Sequence, residues 1–463
     1  MNTKLAKNTL LYTIGSFTSK VINMVMLPIY TYYLTTEEFG KFDYYMSIVL
    51  FLVPLISLQL SDAIFRFLLD DKDNNVCKYV TNSVYGLTIT STLSILITFI
   101  LIVADFFVFS FDVFLWTLVT VSNISFTYLQ FLARGLKKNK EFAFSGVINS
   151  ILLAIMNIVL LIVFNIGYVG LVLSNIIAYI GGALYLAYRT KFYRHIRLQY
   201  IDNSILKILL KYSIPLIPNF LLWWVINLSD RIIIKYYLDE DALGIYGVAS
   251  RFSNMLLFAT TIFNQAWQES AILTFKDKEK DKYYTTIFNQ YFTFLFSTIL
   301  VLLPFISVVF NFVDNSYATA LLIIPFLLFG VAFQAFSSFY GSAFQSSKNT
   351  SRAISSSIVA AFINLVINIV LINHIGLLGA GLSTFISFLV MWLIRIRQTT
   401  VYFKIKLELY KVLMLGLLSI GSIIVYYYLL SSLFNIGVFI VTCIIFILLN
   451  KKLLLGLIQK VRK

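Results

Sequence analysis

Fourteen stretches of predominantly apolar residues, each closed by a short polar break, follow one another from residue 8 to residue 450. A helix needs about 20 apolar residues to cross the hydrocarbon core of a bilayer. The runs fall near 8–34, 44–67, 79–104, 112–134, 142–165, 168–188, 208–234, 244–273, 283–311, 318–344, 353–373, 376–395, 411–431 and 433–450. A membrane barrel would instead show segments of about ten residues with alternating polarity, and these runs are continuous. Hydrophobic residues make up 59% of the chain and charged residues only 12%, which leaves too little polar surface for a soluble fold. Soluble enzymes, nucleic-acid binders and secreted disulfide scaffolds are excluded. The expectation is an all-α integral membrane protein of about 14 transmembrane helices.

The net charge of +15 has a topological explanation. With the N-terminus in the cytoplasm, 31 of the 36 Lys and Arg residues fall on cytoplasmic connections. Outer connections hold only Lys41 and Lys235, and Lys20, Arg231 and Arg251 lie within or at the edges of spans. Such asymmetry follows the rule that positive loops stay inside. It places both termini in the cytoplasm and makes anionic lipid, not nucleic acid, the partner of the charge. The basic start, MNTKLAK, precedes an apolar run of about 26 residues with no small-residue cleavage site, so it reads as an uncleaved first span. Cys77 and Cys443 lie far apart, as do His195 and His374, and none has metal-ligand spacing. No metal or other cofactor is expected.

The chain contains an internal repeat. Tyr32-Tyr33-Leu34 returns as Tyr236-Tyr237-Leu238, an offset of 204, and the register continues through Gly40/Gly244, Leu52/Leu256, Lys72/Lys276, Asp73/Asp277, Lys78/Lys282, Tyr79/Tyr283 and Thr81/Thr285. Asn157-Ile158-Val159-Leu160 matches Asn368-Ile369-Val370-Leu371, and the IGxxGxxLS pattern of Ile166–Ser174 recurs at Ile375–Ser383. Chance likeness between apolar segments does not explain matched Lys, Asp, Tyr and Gly in equivalent loops. Each copy holds an even number of spans, so the copies share one orientation. The expected organisation is two pseudo-symmetric parallel six-helix lobes, 1–200 and 201–400, with two extra C-terminal spans in 401–463.

Ionisable groups within spans cost roughly 2.5–3.5 kcal/mol on insertion scales and are functional candidates. Lys20 lies twelve residues after Asn8, about 18 Å along a helix axis. It belongs to a polar stripe, Asn8–Tyr12–Ser16–Lys20–Asn23, that must face protein or water. The seventh span carries Asn219–Trp223–Asn227–Asp230/Arg231, and the eighth Arg251–Asn254–Thr261–Gln265–Gln268 with Glu269 beside it. Asp230 paired with Arg251 would staple these spans, and Asp62 with Arg66 forms an i,i+4 pair at the inner end of span 2. At the offset of 204, Lys20 aligns with Trp224, Arg251 with Ser47, Asp230 with Met26 and Glu269 with Phe65. The charges do not follow the duplication, which favours a ligand-facing role over inherited staples.

All six prolines (Pro28, Pro54, Pro215, Pro218, Pro304 and Pro325) lie inside spans, so spans 1, 2 and 7 are expected to bend. No phosphate-binding G-x-x-x-x-G-K-[ST] loop is present and no connection is long enough for an ATPase. Energy must come from an ion gradient, the membrane potential or the substrate's own gradient. Asp62, Asp230 and Glu269 are the candidate coupling sites for H+ or Na+.

The stretch SDRxIIxxYL…xLGxYxxAxRF from Ser229 to Phe252, and the segment from Gly15 to Tyr45, resemble the Polysacc_synt family. These are the Wzx-type O-antigen and capsule repeat-unit flippases of the multidrug/oligosaccharidyl-lipid/polysaccharide exporter (MOP) superfamily. The resemblance implies a MATE-like, V-shaped transporter, not an enzyme, in the bacterial inner (cytoplasmic) membrane. Its substrate would be an undecaprenyl-diphosphate-linked glycan, carried to the outer leaflet, with a polysaccharide polymerase and chain-length proteins as candidate partners. Cationic residues of such cavities meet diphosphate or acidic sugars, and by position Lys20, Arg231 and Arg251 fit that role. Asn23, Asn219, Trp223, Asn227, Asn254 and Gln265 would supply its polar and aromatic lining, and Trp223, Trp224 and Trp267 are candidates for stacking on sugars or for anchoring at the interface.

Two alternatives remain. A cation-coupled multidrug exporter of the same superfamily would need a cavity dominated by carboxylates, whereas here the cations balance or outnumber the acids. A membrane polysaccharide polymerase would need a sizeable outer loop with catalytic side chains, and no outer connection exceeds about ten residues.

Overall fold

The computed structural model describes residues 25–70, 75–103, 111–347, 350–428 and 432–461. Among them every regular element is helical and no strand occurs. The bilayer dictates this, because peptide groups without water must be satisfied within their own segment. The chain divides into two compact units, residues 1–231 and 232–463.

In the first unit, the described helices are α1 (Leu27–Tyr33), α2 (Thr36–Ser57), α3 (Leu60–Asp70), α4 (Val76–Val103), α5 (Phe111–Gly135), α6 (Asn139–Asn157), α7 (Tyr168–Thr190), α8 (Asn203–Ser213) and α9 (Ile217–Leu228). The short α10 (Asp230–Tyr237) runs across the unit boundary. The second unit holds α11 (Glu240–Thr274), α12 (Lys280–Val309), α13 (Ala320–Ser346), α14 (Thr350–Ile375), α15 (Leu377–Thr399), α16 (Leu409–Tyr428) and α17 (Ser432–Val461). Eleven helical segments among the described residues are long and apolar enough to cross a membrane. They coincide with eleven of the fourteen expected spans. Of the other three, most of the first lies outside the described residues, and the fourth and eighth are α5 and α11, whose apolar runs are broken by Thr, Ser, Asn and Gln. On α4, Leu93, Leu96, Phe99 and Ile100 are all exposed, a contiguous apolar surface that only lipid or another protein would cover.

Two of the expected bends are present. Span 2 breaks between α2 and α3, four residues beyond Pro54, where Leu58 and Gln59 take left-handed φ values of 48° and 54°. A conformation that costs about 1–2 kcal/mol per non-glycine residue is held here by a short local bond, Gln59 N to Ser57 Oγ at 3.3 Å. Span 7 is interrupted at Ile214–Leu216, a tight turn containing Pro215, before α9 begins with Pro218 in its first turn. In α12 and α13 the helix continues through Pro304 and Pro325.

The repeat is visible in local geometry. Thr35 caps α2 through a reciprocal box with Glu38, and at the matching corner Asp239 caps α11 by accepting from Ala242 N at 2.7 Å. Tyr32 and Tyr236, one residue from the matching turns, are 76% and 80% exposed. Gly167 and Gly376 precede α7 and α15 with φ of 62° and 57° and ψ of −147° and −138°, a region essentially confined to glycine. Three residues on, a Cβ at Gly379 would meet the backbone of Leu371 at 2.6 Å, so the pattern's second glycine allows α14 and α15 to approach.

Each unit also clamps the connector that leaves its sixth span. In the first, Thr81 Oγ1 accepts from Arg197 N at 3.0 Å and donates to His195 O at 3.3 Å. Asn82 donates to Tyr200 O and accepts from Asp202 N, both at 2.8 Å. In the second, Thr285 Oγ1 accepts from Lys406 N at 3.2 Å, while Asn289 donates to Lys406 O at 2.9 Å and accepts from Glu408 N at 3.1 Å. The first clamp delivers α8 onto α3 and α4, with Leu209 buried among Leu60, Val80 and Leu87. Span 7, which opens the second copy of the repeat, therefore packs with the first compact unit, and the unit boundary falls after it. The second clamp delivers α16 onto α12. The last helix, α17, is pinned to α12 by Asn450, which donates to Ser297 Oγ at 2.9 Å.

Gly376→Ala is expected to lower stability by about 1–3 kcal/mol through backbone strain alone, since nothing lies within 4 Å of its added Cβ. Gly416→Ala, within α16 and equally unobstructed, serves as the control and should be neutral or stabilising. Thermal unfolding of both variants in detergent checks this, and equal midpoints would refute it.

His195, in the first connector, is half-buried, and desolvation followed by the charge of Lys138 pushes its pKa below the ordinary histidine value. The folded state then binds fewer protons than the unfolded one. Its stabilising contribution is complete above the ordinary pKa of about 6.5 and is lost as pH falls towards the depressed value. Amide exchange of residues 191–202, corrected for intrinsic rates, should rise on acidification, and His195→Gln should remove that rise.

Candidate functional site

Near the end of α2 that begins at Thr36, and around the α9–α10 junction, the first unit gathers polar groups that a membrane helix would otherwise avoid. Arg231 Nε donates to Asp43 Oδ2 at 2.9 Å, with both side chains largely shielded. A second guanidinium nitrogen donates to Asn227 O at 3.2 Å. Asn227 is half-buried and its amide donates to Trp223 O at 2.8 Å. One helical turn along α2, Ser47 O accepts from Trp224 Nε1 at 2.8 Å, and the Trp224 ring lies 4.8 Å from Phe51. Asp230 is buried at the start of α10, and Trp223 is half-buried.

This arrangement follows from the chemistry of a buried guanidinium. Removing it from water is costly unless a carboxylate and further acceptors replace the lost hydration. Asp43 supplies the charge and the Asn227 carbonyl near the end of α9 supplies the second acceptor. Arg231 thus joins α2 to the α9–α10 junction within the first unit. Asp43 went unrecognised in the sequence because it lies one residue before the expected start of span 2, where it counted as a loop carboxylate.

In the second unit, Arg251 is half-buried and Asn254 exposed on the same stripe of α11, while Thr261 further along is also exposed. Lys20 and Asn23 lie outside the described residues, as do the side chains of Asn219, Gln265 and Glu269. Asp62 is half-buried on α3 and Arg66 exposed. Asp62 feels the charge of Arg134 from α5, whose guanidinium lies 4.5 Å from the Phe65 ring centre. Trp267 is not available to a sugar. It is 3% exposed, stacked on Phe339 at 4.0 Å, and its Nε1 donates to Phe339 O and Ser342 Oγ. The tryptophan N–H needs a buried acceptor, and α13 provides it.

Two further charged clusters link neighbouring helices. Arg189 on α7 grips Glu141 on α6 with two hydrogen bonds of 2.9 and 3.0 Å, and Tyr185 adds a third at 2.6 Å. Lys138 caps the end of α7, donating to Arg189 O and Thr190 O at 3.1 and 3.2 Å. In the second unit Arg395 is buried and donates to Ser356 Oγ, Ser337 O and Ser357 Oγ at 3.0, 2.8 and 3.2 Å, spanning α13, α14 and α15. A Cβ on Gly341 would come within 2.8 Å of the Arg395 guanidinium, so the glycine makes room for the cation. Arg395 also escaped the sequence reading, because α15 runs to Thr399, four residues past the expected end of span 12. Among the described residues no group of three or more His, Cys, Asp or Glu side chains gathers to hold a metal, and both cysteines are free thiols.

The model of a protein family described as "Polysaccharide biosynthesis protein" matches residues 5–268, more than half of the chain. An uncharacterized membrane protein of Methanocaldococcus jannaschii is 23% identical over 410 residues, 84% of this chain and 96% of its own. Among solved structures, the lipid II flippase MurJ in an inward closed conformation superposes with a TM-score of 0.72 at 16% identity, covering 96% of this chain and 100% of its own. An inward-facing multidrug resistance MATE family transporter of the MOP superfamily superposes with a TM-score of 0.63 at 13% identity, covering 87% and 96%. At these identities the likeness is one of fold, and it matches the expected all-α, MATE-like architecture.

Asp43→Asn and Arg231→Gln are each expected to destabilise the detergent-solubilised protein by about 3–5 kcal/mol, since each leaves one buried partner uncompensated. The double variant should lose much less than the sum. Thermal unfolding of the four proteins checks the coupling; strictly additive losses would show that the two side chains do not act as a pair.

Proposed function

Taking as premise that the chain belongs to the polysaccharide biosynthesis protein family, we propose that it flips a lipid-linked oligosaccharide repeat unit across the cytoplasmic membrane. The cargo is an undecaprenyl-diphosphate-linked glycan destined for O-antigen or capsule, moved from the cytoplasmic to the outer leaflet by alternating access. The problem such a protein must solve is a headgroup that cannot enter hydrocarbon on a tail that need not leave it. Ammonium, guanidinium and amide groups within spans meet that need, because they replace the water that a diphosphate would lose.

The observation that carries this reading is the polar stripe of α11. Arg251 is half-buried and Asn254 and Thr261 are exposed in a helix whose flanking residues Phe252 and Leu256 are buried. In this reading Lys20 and Arg251 supply the positive charge that the cargo meets. Arg231, whose charge Asp43 balances, acts in this reading at close range, as a hydrogen-bond donor near the outer end of the pathway, with Asn23, Asn219, Trp223, Asn227 and Gln265 completing the polar wall. Asp62, Asp230 and Glu269 are the carboxylates through which H+ or Na+ would couple. Both termini lie in the cytoplasm, and a polysaccharide polymerase and chain-length proteins would receive the product. The likeness to a lipid II flippase supports a lipid-linked cargo, and the protein works as a transporter without chemical catalysis.

Cells depleted of the protein should accumulate undecaprenyl-diphosphate-linked oligosaccharide and lose surface polysaccharide. Normal glycans with heightened sensitivity to cationic drugs would instead mark a cation-coupled exporter. At matched protein level, Arg251→Ala should reduce export by roughly ten- to a hundred-fold, the loss of one charge-assisted contact of about 1.5–3 kcal/mol. Lys20→Arg should retain more export than Lys20→Ala, and equal activity of the two would remove Lys20 from the pathway.

A further inference from the structure

We infer that the two clamped connectors, residues 191–202 and 400–408, are matched membrane-surface grips that bind the anionic phospholipid headgroups of the cytoplasmic leaflet. The leaflet assignment rests on the orientation proposed above; the surface itself rests on the geometry of each unit.

Both connectors are built on the same plan. One aromatic residue points inward as a plug. Phe192 packs against the core cluster of the first unit, its ring 6.4 Å from Tyr128. Phe403 is buried in the second, 4.9 Å from Tyr284. The Thr and Asn clamps fix the backbone on either side. Held so, each connector projects large apolar side chains beside cations. In the first, Tyr193 and Leu198 are 63% and 78% exposed, and Lys191, Arg194 and Arg197 are exposed around them. In the second, Val401 is 74% exposed and Tyr410, in the first turn of the α16 that follows, 77%, and they flank the exposed Lys404 and Lys406.

The neighbouring acids do not cancel this charge. In the first connector Asp202, which caps α8 by accepting from Ser204 N at 2.8 Å, is one negative charge against Lys191, Arg194 and Arg197. Glu408 pairs with Lys411 at 2.6 Å. Exposed apolar side chains interleaved with uncompensated Lys and Arg suit the boundary between acyl chains and anionic headgroups. Water on one side would leave the apolar groups exposed, and hydrocarbon on the other would strand the cations. A rigidly clamped backbone also avoids the ordering entropy that a flexible basic tail would lose on binding. By this arrangement α8 and α16, the helices that follow the two connectors, each enter the membrane from a point fixed against the lipid surface.

The test uses the full-length chain with Cys77 and Cys443 replaced by serine. An environment-sensitive fluorophore is attached at Leu198→Cys, at Val401→Cys or, as a control, at Tyr32→Cys. Each protein is reconstituted into vesicles of phosphatidylcholine alone and of phosphatidylcholine with phosphatidylglycerol. Emission at 198 and 401 should shift to the blue when phosphatidylglycerol is included, and emission at 32 should not. The shift should fade at about 1 M salt, where the screening length is about 3 Å. Arg194→Gln with Arg197→Gln should abolish the response at 198 and spare that at 401; Lys404→Gln with Lys406→Gln should do the reverse. Equal emission in the two lipids, or a shift indifferent to these charge removals, would overturn the assignment. An impermeant thiol reagent that labels Leu198→Cys from outside intact cells would overturn the leaflet assignment, whatever the lipid response. Failure of the flippase reading, by contrast, would appear in the glycan assay and leave the lipid response in place.

Discussion

In hydrocarbon, a peptide group that is not bonded within its own helix has no water to turn to, and that fact shapes the break in span 2 and the entries to the seventh and thirteenth spans. At the break after α2, Gln59 N donates back to the Ser57 hydroxyl oxygen. The connectors that leave the sixth spans are held by asparagine side chains that pair, amide to amide, with the backbone. An asparagine suits this use because one side chain offers both a donor and an acceptor. The same constraint accounts for the abundance of serine and threonine bonded to carbonyls three or four residues back, as with Ser174 and Ser387. Ser174 and Ser387 are buried, and a helix carbonyl satisfies the hydroxyl of each.

The duplication was legible in the sequence because backbone conformation and charge impose residue types. Gly167 and Gly376 stand where only glycine takes the required angles, and Thr35 and Asp239 are both capping residues. The clamps were only half legible. Thr81 and Thr285 align at the fixed offset, but the partner asparagines, Asn82 and Asn289, stand one and four residues further on. These lie on neighbouring turns of a helix, so the function is kept while the register is not. A comparison position by position does not see such a shift.

The candidate site was less legible, for two physical reasons. Charges at helix ends were counted as loop residues, so Asp43 and Arg395 were passed over although both are shielded and bonded. Partner choice is also a tertiary property. Trp267 carries no local mark separating a sugar-stacking ring from one wedged against Phe339, and the acceptors for its N–H come from residues 72 and 75 positions away. Hydrophobic periodicity specifies which face of a helix is polar. It does not specify whether that face meets an ion partner, as Arg231 meets Asp43, or remains open, as the stripe of α11 does at Asn254.

The two units solve one packing problem with different electrostatics. Where the fifth and sixth spans of the first unit approach their polar end, Arg189 is neutralised by Glu141. At the corresponding hairpin of the second unit, Arg395 bonds to two serine hydroxyls and a carbonyl. A guanidinium bound to neutral acceptors keeps its full charge, whereas one bound to a carboxylate contributes almost none at a distance. The two copies thus hold a guanidinium at the end of the same hairpin by different means, a carboxylate in the first and hydroxyls with a carbonyl in the second, where Gly341 leaves the space. The intramembrane charges also depart from the repeat, in both senses: Arg251 aligns with Ser47 and Lys20 with Trp224, while the acids Asp230 and Glu269 align with Met26 and Phe65. Repetition serves packing, which asks the same shape of both copies; it does not fix the charges, which depend on the partners that each unit supplies for itself.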